Sequence, residues 1–327
     1  MRIFLVVFWI FMISLAGFAQ GADPREIYII WDCDNLDESQ NYVKTHMQNR
    51  VAAINAERKD IKVKFEVTDA QNIIEYQIAS MEAVILKKPD ILMFSYVDPD
   101  ALRDSVKAVR DAGIIVIDYR DMKDHDNVDG VFYGNHEPTY AKSITNWLIK
   151  YLAKNPDVTL RAGIIYGAVV QTPQLARGDL VKHLAAEFPN RVKILAQQYA
   201  DWDTTKAQNT MEDWLVAYGN KMNYVAVANT GMALGATNAL VSANRMDDFI
   251  ITSVDLTDSG VGMVKDGLIH ALAGAYNPDR AKAAINFALG VFEGTYTKKT
   301  YTMETYHLLD SKNIDEFLAM RKQDLGY

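Results

Sequence analysis

The sequence predicts an α/β protein made of two doubly wound lobes, each around its own largely parallel sheet. Three observations carry this. Apolar or β-branched runs alternate with segments of helical period along most of the chain. Those runs are continuously apolar rather than alternating, as strands buried on both faces of a parallel sheet must be. They number about ten, which is many for one open sheet in a chain of 327 residues, so two sheets are the better count.

Taken in order, the strands fall at 26–32 (EIYIIWD), 61–67 (IKVKFEV), 91–96 (ILMFSY), 114–119 (IIVIDY) and 131–134. They continue at 161–167 (RAGIIYG), 192–200 (VKILAQQYA), 224–229 (YVAVAN), 248–255 (DFIITSVD) and 270–276 (HALAGAY). Helical stripes lie between them. Leu102, Val106 and Val109 stand at i, i+4, i+7. Tyr140, Ile144, Trp147, Leu148 and Tyr151 hold the period over three turns, and Met211, Trp214, Leu215 and Tyr218 repeat it. Starts are signalled by Asp98-Pro99-Asp100 and by Thr204. Aromatic stripes of this kind face a core, and none is assigned a cofactor. The periodicity is weakest across 121–136 (DMKDHDNVDGVFYGNH), where the chain is expected to make its first crossing between lobes. The C-terminal part reads as one strand (TYTMETYHLL) and a final helix (SKNIDEFLAMRK).

The N-terminus has the layout of a secretory leader. Arg2 is followed by the apolar run IFLVVFWIFMISLA and then by the small residues Gly17, Ala19, Gly21 and Ala22. The run is shorter than the ~20 apolar residues of a spanning helix, so residues 1–22 are read as a signal peptide. An exported, soluble chain follows, with a periplasm as its natural compartment and the membrane reached only through a partner. Formal net charge is −8, against a nucleic-acid partner, because phosphate binding needs a concentrated basic surface. The one cysteine, Cys33, excludes an internal disulfide and a cysteine-based metal site. It reads as a small, half-buried residue near a strand end.

Signatures of covalent chemistry are absent. There is no G-x-S-x-G elbow, P-loop, G-x-G-x-x-G after a strand, or H-E-x-x-H. His136-Glu137 reads as a helix start rather than a metal site. No cofactor and no metal are expected. What remains is a set of polar and aromatic residues at the carboxyl ends of predicted strands, the edge at which open α/β sheets bind ligands. These are Asp32, Asp34 and Asn35 after the first strand and Asp118, Tyr119 and Arg120 after the fourth. Trp202 follows the seventh, Asn229 the eighth and Asp255 the ninth. Each alone could cap a helix. Together their chemistry suits a sugar: carboxylates, amides and guanidinium groups take paired hydroxyls, and an indole takes the apolar face of a pyranose.

These residues resemble a known family. The stretch KKPDILMFSYVDPDALRDSVKAVRDAGIIVIDYRD, the run QQYADWDTTKAQNTMEDWL followed by YVAVANTGMALGATNAL, and then ITSVDLTDSG are similar to the periplasmic sugar-binding proteins of the ribose-binding type. The resemblance covers nearly all of the chain after the leader. It implies two Rossmann-like lobes with parallel sheets joined by hinge strands, the type I periplasmic binding protein fold. The expected lobes are 23–134 with about 275–300, and 135–274 with about 301–327. Hinges are expected near 134–136, 255–258 and 274–278. The resemblance assigns Arg120 to ring or hydroxyl oxygens from the N-terminal lobe and adds Arg177 (in QLARGDLVKHL) from the C-terminal one. It makes Trp202 the stacking aromatic and gives Asn229 and Asp255 the grip on hydroxyls.

Several positions depart from the family pattern. Tyr119 stands where an acid usually precedes the arginine. Thr230-Gly231 interrupts the usual Asn-Asp-x-Met-Ala. The Asn-Pro-Phe-Phe after the first strand is replaced by WDCDNLDESQNY, with Asp32, Asp34, Asn35, Asp37 and Glu38, so Trp31 or Tyr42 would have to supply an N-lobe aromatic. The hinge glutamine gives way to Gly274, Ala275 and Tyr276. The acidic first loop suggests a ligand rich in donors: a polyol, a sugar other than ribose, or one carrying an amine. The implied function is capture of a sugar or polyol by a monomeric, non-enzymatic receptor. Its partner is an ABC importer permease or, alternatively, a sensor kinase or chemoreceptor.

Overall fold

The computed structural model describes residues 23–120, 126–134, 137–169, 172–303 and 305–325. The leader, and the parts of the 121–136 stretch at 121–125 and 135–136, lie outside the described residues.

The first sheet is built from β1 (Arg25–Cys33), β2 (Ile61–Asp69), β3 (Ile91–Phe94), β4 (Ile115–Asp118), β5 (Gly130–Tyr133) and β11 (Thr300–Thr302). The second holds β6 (Leu160–Tyr166), β7 (Val192–Tyr199), β8 (Tyr224–Val227), β9 (Ile250–Val254), β10 (Ala271–Gly274) and β12 (His307–Leu309). Spatial order is β11-β5-β4-β3-β1-β2 in one and β12-β10-β9-β8-β6-β7 in the other. Every pairing is parallel except β10 with β12. Central strands such as ILMF of β3 and YVAV of β8 are buried at every position, which is why their apolarity is unbroken.

Among the described residues the α-helices are α1 (Glu38–Glu57), α2 (Ile74–Lys87), α3 (Arg103–Asp111), α4 (Glu137–Lys154), α5 (Thr172–Glu187), α6 (Thr204–Tyr218), α7 (Thr230–Ser242), α8 (Asp258–Lys265), α9 (Asn277–Phe292) and, after the last strand, α10 (Ile314–Leu325). The sequence change at each strand end makes the caps. Asp37 accepts from Gln40 N (2.8 Å), Asp203 from Lys206 N (2.7 Å), Asn229 from Met232 N (2.8 Å) and Thr257 from Gly260 N (3.1 Å). Helices α6 and α7 pack closely because Gly235 has no side chain. A Cβ there would lie 2.0 Å from the Thr204 carbonyl oxygen. In each sheet the strand order reverses, between β1 and β3 and between β6 and β8. That reversal opens a crevice at the carboxyl ends of the strands.

The chain leaves the first sheet after Tyr133, and α4 packs on α5 and β10 of the second. It returns after Gly274, where α9 packs along α1. Two sequence expectations change here. The segment 255–258 joins β9 through α8 to β10, its parallel neighbour, so it stays within the second sheet and is no crossing. The stretch 300–309 is not one strand. Each sheet offers an open edge, and three residues satisfy each of them: β11 beside β5 and β12 beside β10. The third crossing therefore falls between Thr302 and His307, and Thr300–Thr302 belongs to the first sheet. Cys33 is fully rather than half buried, as the last residue of a central strand. Burial pushes its thiol well above the usual range.

Candidate functional site

The loops after β1, β3 and β4 present one wall. Asp34, buried, accepts from Ser95 Oγ at 2.7 Å and from Arg120 Nη1 at 2.6 Å. Arg120 is aimed by its own backbone, whose N–H donates to the buried Asp118 carboxylate at 2.8 Å. Asn35 follows and lines the cavity between the lobes.

Two sequence candidates point elsewhere. Asp32 accepts from the hydroxyls of Thr68 and Ser80 and from Gln77 Nε2 at 3.0 Å. Burial raises its carboxyl, and those hydrogen bonds oppose the rise. Gln77 also bonds the Ser95 carbonyl (2.6 Å) and the Val97 N–H (2.7 Å), so Asp32 ties three segments together inside the first lobe. Tyr119 lies in an aromatic core. Its ring is 5.4 Å from Trp31 and stacks at 5.4 Å on Phe132, which stacks in turn on Tyr301. Trp31 is fully buried in the same core. Both side chains pack inside the first lobe, on opposite sides of its sheet: Asp32 toward β2 and α2, and Tyr119 with Trp31, the residue next to Asp32 in β1.

The second wall comes from β6, β8, β9 and α5. Arg177 reaches from α5 to the Ala228 carbonyl (2.7 Å) and grips Asp255 with two bonds, at 3.1 and 3.3 Å. Both partners are buried. Asp255 holds φ +83°, a left-handed value that costs a residue with a Cβ, as functional sites often do. Trp202 sits at φ +63° in the turn after β7. Its indole lies over Gly167, where a Cβ would come within 2.2 Å of the ring. The Arg177 guanidinium is 5.8 Å from that ring. Asn229 uses Oδ1 to cap α7 and turns Nδ2 toward the opposite lobe.

The walls meet through α1. Asn229 Nδ2 donates to Asp37 Oδ2 at 3.2 Å. Ser259 donates to Glu38 from Oγ (2.6 Å) and from N (3.3 Å). Arg321 of α10 donates to Tyr42 Oη at 2.9 Å and also to Asp258. Between the walls is a cavity of about 600 Å³, lined by Asn35, Asp37, Glu38 and Asn72 from one side and by Trp202 and Thr204 from the other. A cavity of this size and mixed lining suits a small polar solute.

Of the nine sequence candidates, Asn35 and Trp202 line this cavity, Asn229 bonds Asp37 on its wall, Asp34, Arg120 and Asp255 act on Asp37 through their charges, Arg177 is tied to Asp255, and Asp32 and Tyr119 turn away from it. Asp37 belongs to the acidic loop after the first strand but is not among the nine sequence candidates. Its signal was its place, four residues past the strand end and immediately before an acid-led helix. Desolvation pushes its carboxyl up to about 6, with Asp255 and Asp34 adding to the rise and the Gln40 N–H and Arg120 opposing it. Among the described residues no three of His, Cys, Asp or Glu converge to hold a metal ion.

Comparison with known proteins gives a consistent set. The family described as "Periplasmic binding protein domain" matches residues 38–295. A putative rhizopine-binding protein of Rhizobium meliloti is 26% identical over 262 residues, spanning 78% of this chain and 82% of its own. The ribose import binding protein RbsB of Salmonella typhimurium is 27% identical over 245 residues, 73% of this chain and 77% of its own. An ABC transporter solute binding protein from Bacillus halodurans, solved with bound myo-inositol, has the same fold. Its TM-score is 0.77 at 23% identity, with 91% of this chain and 99% of that one covered. The fructose binding periplasmic domain of a hybrid two component system superposes with a TM-score of 0.80 at 18% identity, over 92% and 96% of the two chains.

Proposed function

The chain belongs to the periplasmic binding protein domain family, and from that premise we propose that it captures a sugar or polyol between its lobes and passes it on unchanged. One observation carries the reading. Two arginine–carboxylate pairs, the partly exposed Arg120–Asp34 and the buried Arg177–Asp255, stand on opposite lobes, and Asp37 and Trp202 line the cavity between those lobes. Each pair offers donors and acceptors already fixed in place. Hydroxyls on adjacent carbons match such a pair, and the wrong epimer leaves a buried group unanswered.

The mechanism is differential binding. The ligand touches both lobes only when they are closed, so it favours that state by the contacts that span the gap. The crossings after Tyr133, Gly274 and Thr302 are the strands about which the lobes swing. The polar α1 contacts to Asn229, Ser259 and Arg321 join in closure. The closed form gives a membrane partner in the periplasm its surface to read. That partner is an ABC importer permease, as the names of several relatives suggest. Likeness to the periplasmic domain of a two component system supports a sensor as the second reading.

Thermal-shift screening against sugars, polyols and amino sugars tests the capture. A ligand at 100 times its Kd stabilises by about 2.7 kcal/mol through mass action, a rise of several degrees. Trp202→Ala, which removes the stacking plate from a partly exposed turn, should leave the protein folded and abolish that rise. Normal binding by this variant would refute the assignment of the indole.

A further inference from the structure

Among the described residues, the half-buried Asp37 carboxylate of the cleft forms no ion pair. Asp34 is matched by Arg120 at 2.6 Å and Asp255 by Arg177 at 3.1 Å. Asp37 stands between them, and the bonds it receives among the described residues come from neutral donors, the Gln40 N–H at 2.8 Å and the Asn229 amide at 3.2 Å. Arg120, the cation that acts on it, is already engaged with Asp34. Lys206 is engaged with Asp201, a residue of the cavity lining, at 2.8 Å.

The rest of the lining is also rich in acceptors. Glu38, Asp201 and Asp203 border the same cavity. Asn72, on its wall, buries Oδ1 with no hydrogen-bond partner among the described residues. Gln40, 7% exposed and in the first turn of the helix that Asp37 caps, likewise buries Oε1 with no such partner. Neutral hydroxyls can answer these acceptors one at a time. A hydroxyl can hydrogen-bond a carboxylate, but it brings no charge to neutralise one that has been taken out of water, as an ammonium does.

We propose that the ligand is a polyhydroxylated ring or chain carrying an amine, whose ammonium group pairs with Asp37 while its hydroxyls engage the Arg120–Asp34 and Arg177–Asp255 pairs. This rests on the cleft being the ligand site. Asp37 is the specificity residue: it separates an amino sugar or amino polyol from its neutral counterpart.

The pH dependence has a definite sign. An ammonium needs the ionised carboxylate, and the Asp37 carboxyl is held at about 6. The groups facing it are Asp34 and Arg120 of its own lobe and Asp255 of the other, with Glu38, Asp201 and Asp203 around the cavity. Affinity for an amine should therefore rise about tenfold from pH 5 to pH 7.5 as Asp37 loses its proton, and affinity for a neutral analogue should not.

The test is calorimetric titration of the leaderless chain with matched pairs: glucosamine and glucose, galactosamine and galactose, an amino-inositol and myo-inositol. In at least one pair the amine should bind 10- to 100-fold more tightly at pH 7.5. Asp37→Asn keeps a good helix cap and should erase that preference, so that each amine and its neutral counterpart bind alike. Equal or tighter binding of the neutral members overturns the inference and leaves the cleft reading standing. An amine preference that survives in Asp37→Asn overturns the residue assignment. Failure of every member to bind removes the cleft reading and the inference with it.

Discussion

Replacing Arg177 by methionine should destabilise the second lobe far more than a surface change would. The guanidinium is buried, as is the Asp255 carboxylate it grips, with side-chain exposures of 5% and 9%. Methionine keeps most of the apolar stem but none of the three bonds, to Ala228 O and to both oxygens of Asp255. Asp255 would keep a buried charge with no partner, on a backbone already at φ +83°. Breaking a buried pair from one side costs about 3–5 kcal/mol, and the orphaned carbonyl adds about 1 kcal/mol or more. At about 2 °C per kcal/mol for a chain of this size, the melting temperature should fall by roughly 8–12 °C. The second variant decides the cause. Arg177→Met with Asp255→Asn removes the stranded charge and should recover more than half of the loss, with neither variant binding ligand. Circular dichroism melts of the three proteins read this directly. A fall of less than about 2 °C in the single variant, or no recovery in the double, would refute the claim that the pair is held by mutual neutralisation.

Two further outcomes follow from the packing. Gly235→Ala would drive a methyl into the Thr204 carbonyl at 2.0 Å, forcing α6 and α7 apart. Overpacking of this kind costs about 1–3 kcal/mol. A variant with an unchanged melting temperature would show that the helices have slack there. Glu38→Ala combined with Arg321→Ala removes two of the three polar ties across the cleft. Each exposed tie is worth only ~0.2–1 kcal/mol, so the fold should persist while the unliganded protein opens. Solution scattering should report a larger radius of gyration that returns to the parent value on ligand addition; an unchanged radius would mean the ties do not govern closure.

The fold was legible because its signals are redundant. A strand such as ILMF can only be a short central strand, since every residue is buried by a neighbour on each face. Alternation then dictates parallel pairing, and parallel pairing dictates crossover helices. The C-terminal segment was less legible for the converse reason. Its pattern over 300–309 is compatible with one strand, and only the two open edges in space divide it between sheets. The same limit placed a crossing at 255–258. The strand end carries an aspartate there as a hinge might, but the next strand in sequence is also the next in space.

The site was legible in its edge and only partly in its residues. Position after a strand located the loops, yet the point at which the strand ends decides whether a side chain faces the gap. Asp32 and Asp34 differ by two residues, but the first is the penultimate residue of β1 and turns inward to Thr68, Ser80 and Gln77, while the second has left the strand and meets Arg120. Weighing cap against ligand contact as alternatives also concealed how the gap is lined, because an amide or carboxylate has two ends. Asp37 gives Oδ1 to the α1 N-terminus and Oδ2 to Asn229, and Asn229 gives Oδ1 to the α7 N-terminus and Nδ2 to Asp37. Capping fixes the rotamer, so the free end is aimed across the cleft before any ligand arrives, and the entropy of orienting it is not lost on binding. Two helices thus point their N-termini at one gap, each through a side chain that serves its own helix and the opposite lobe together. That double use makes a helix-cap pattern after consecutive parallel strands evidence for a binding edge rather than against one.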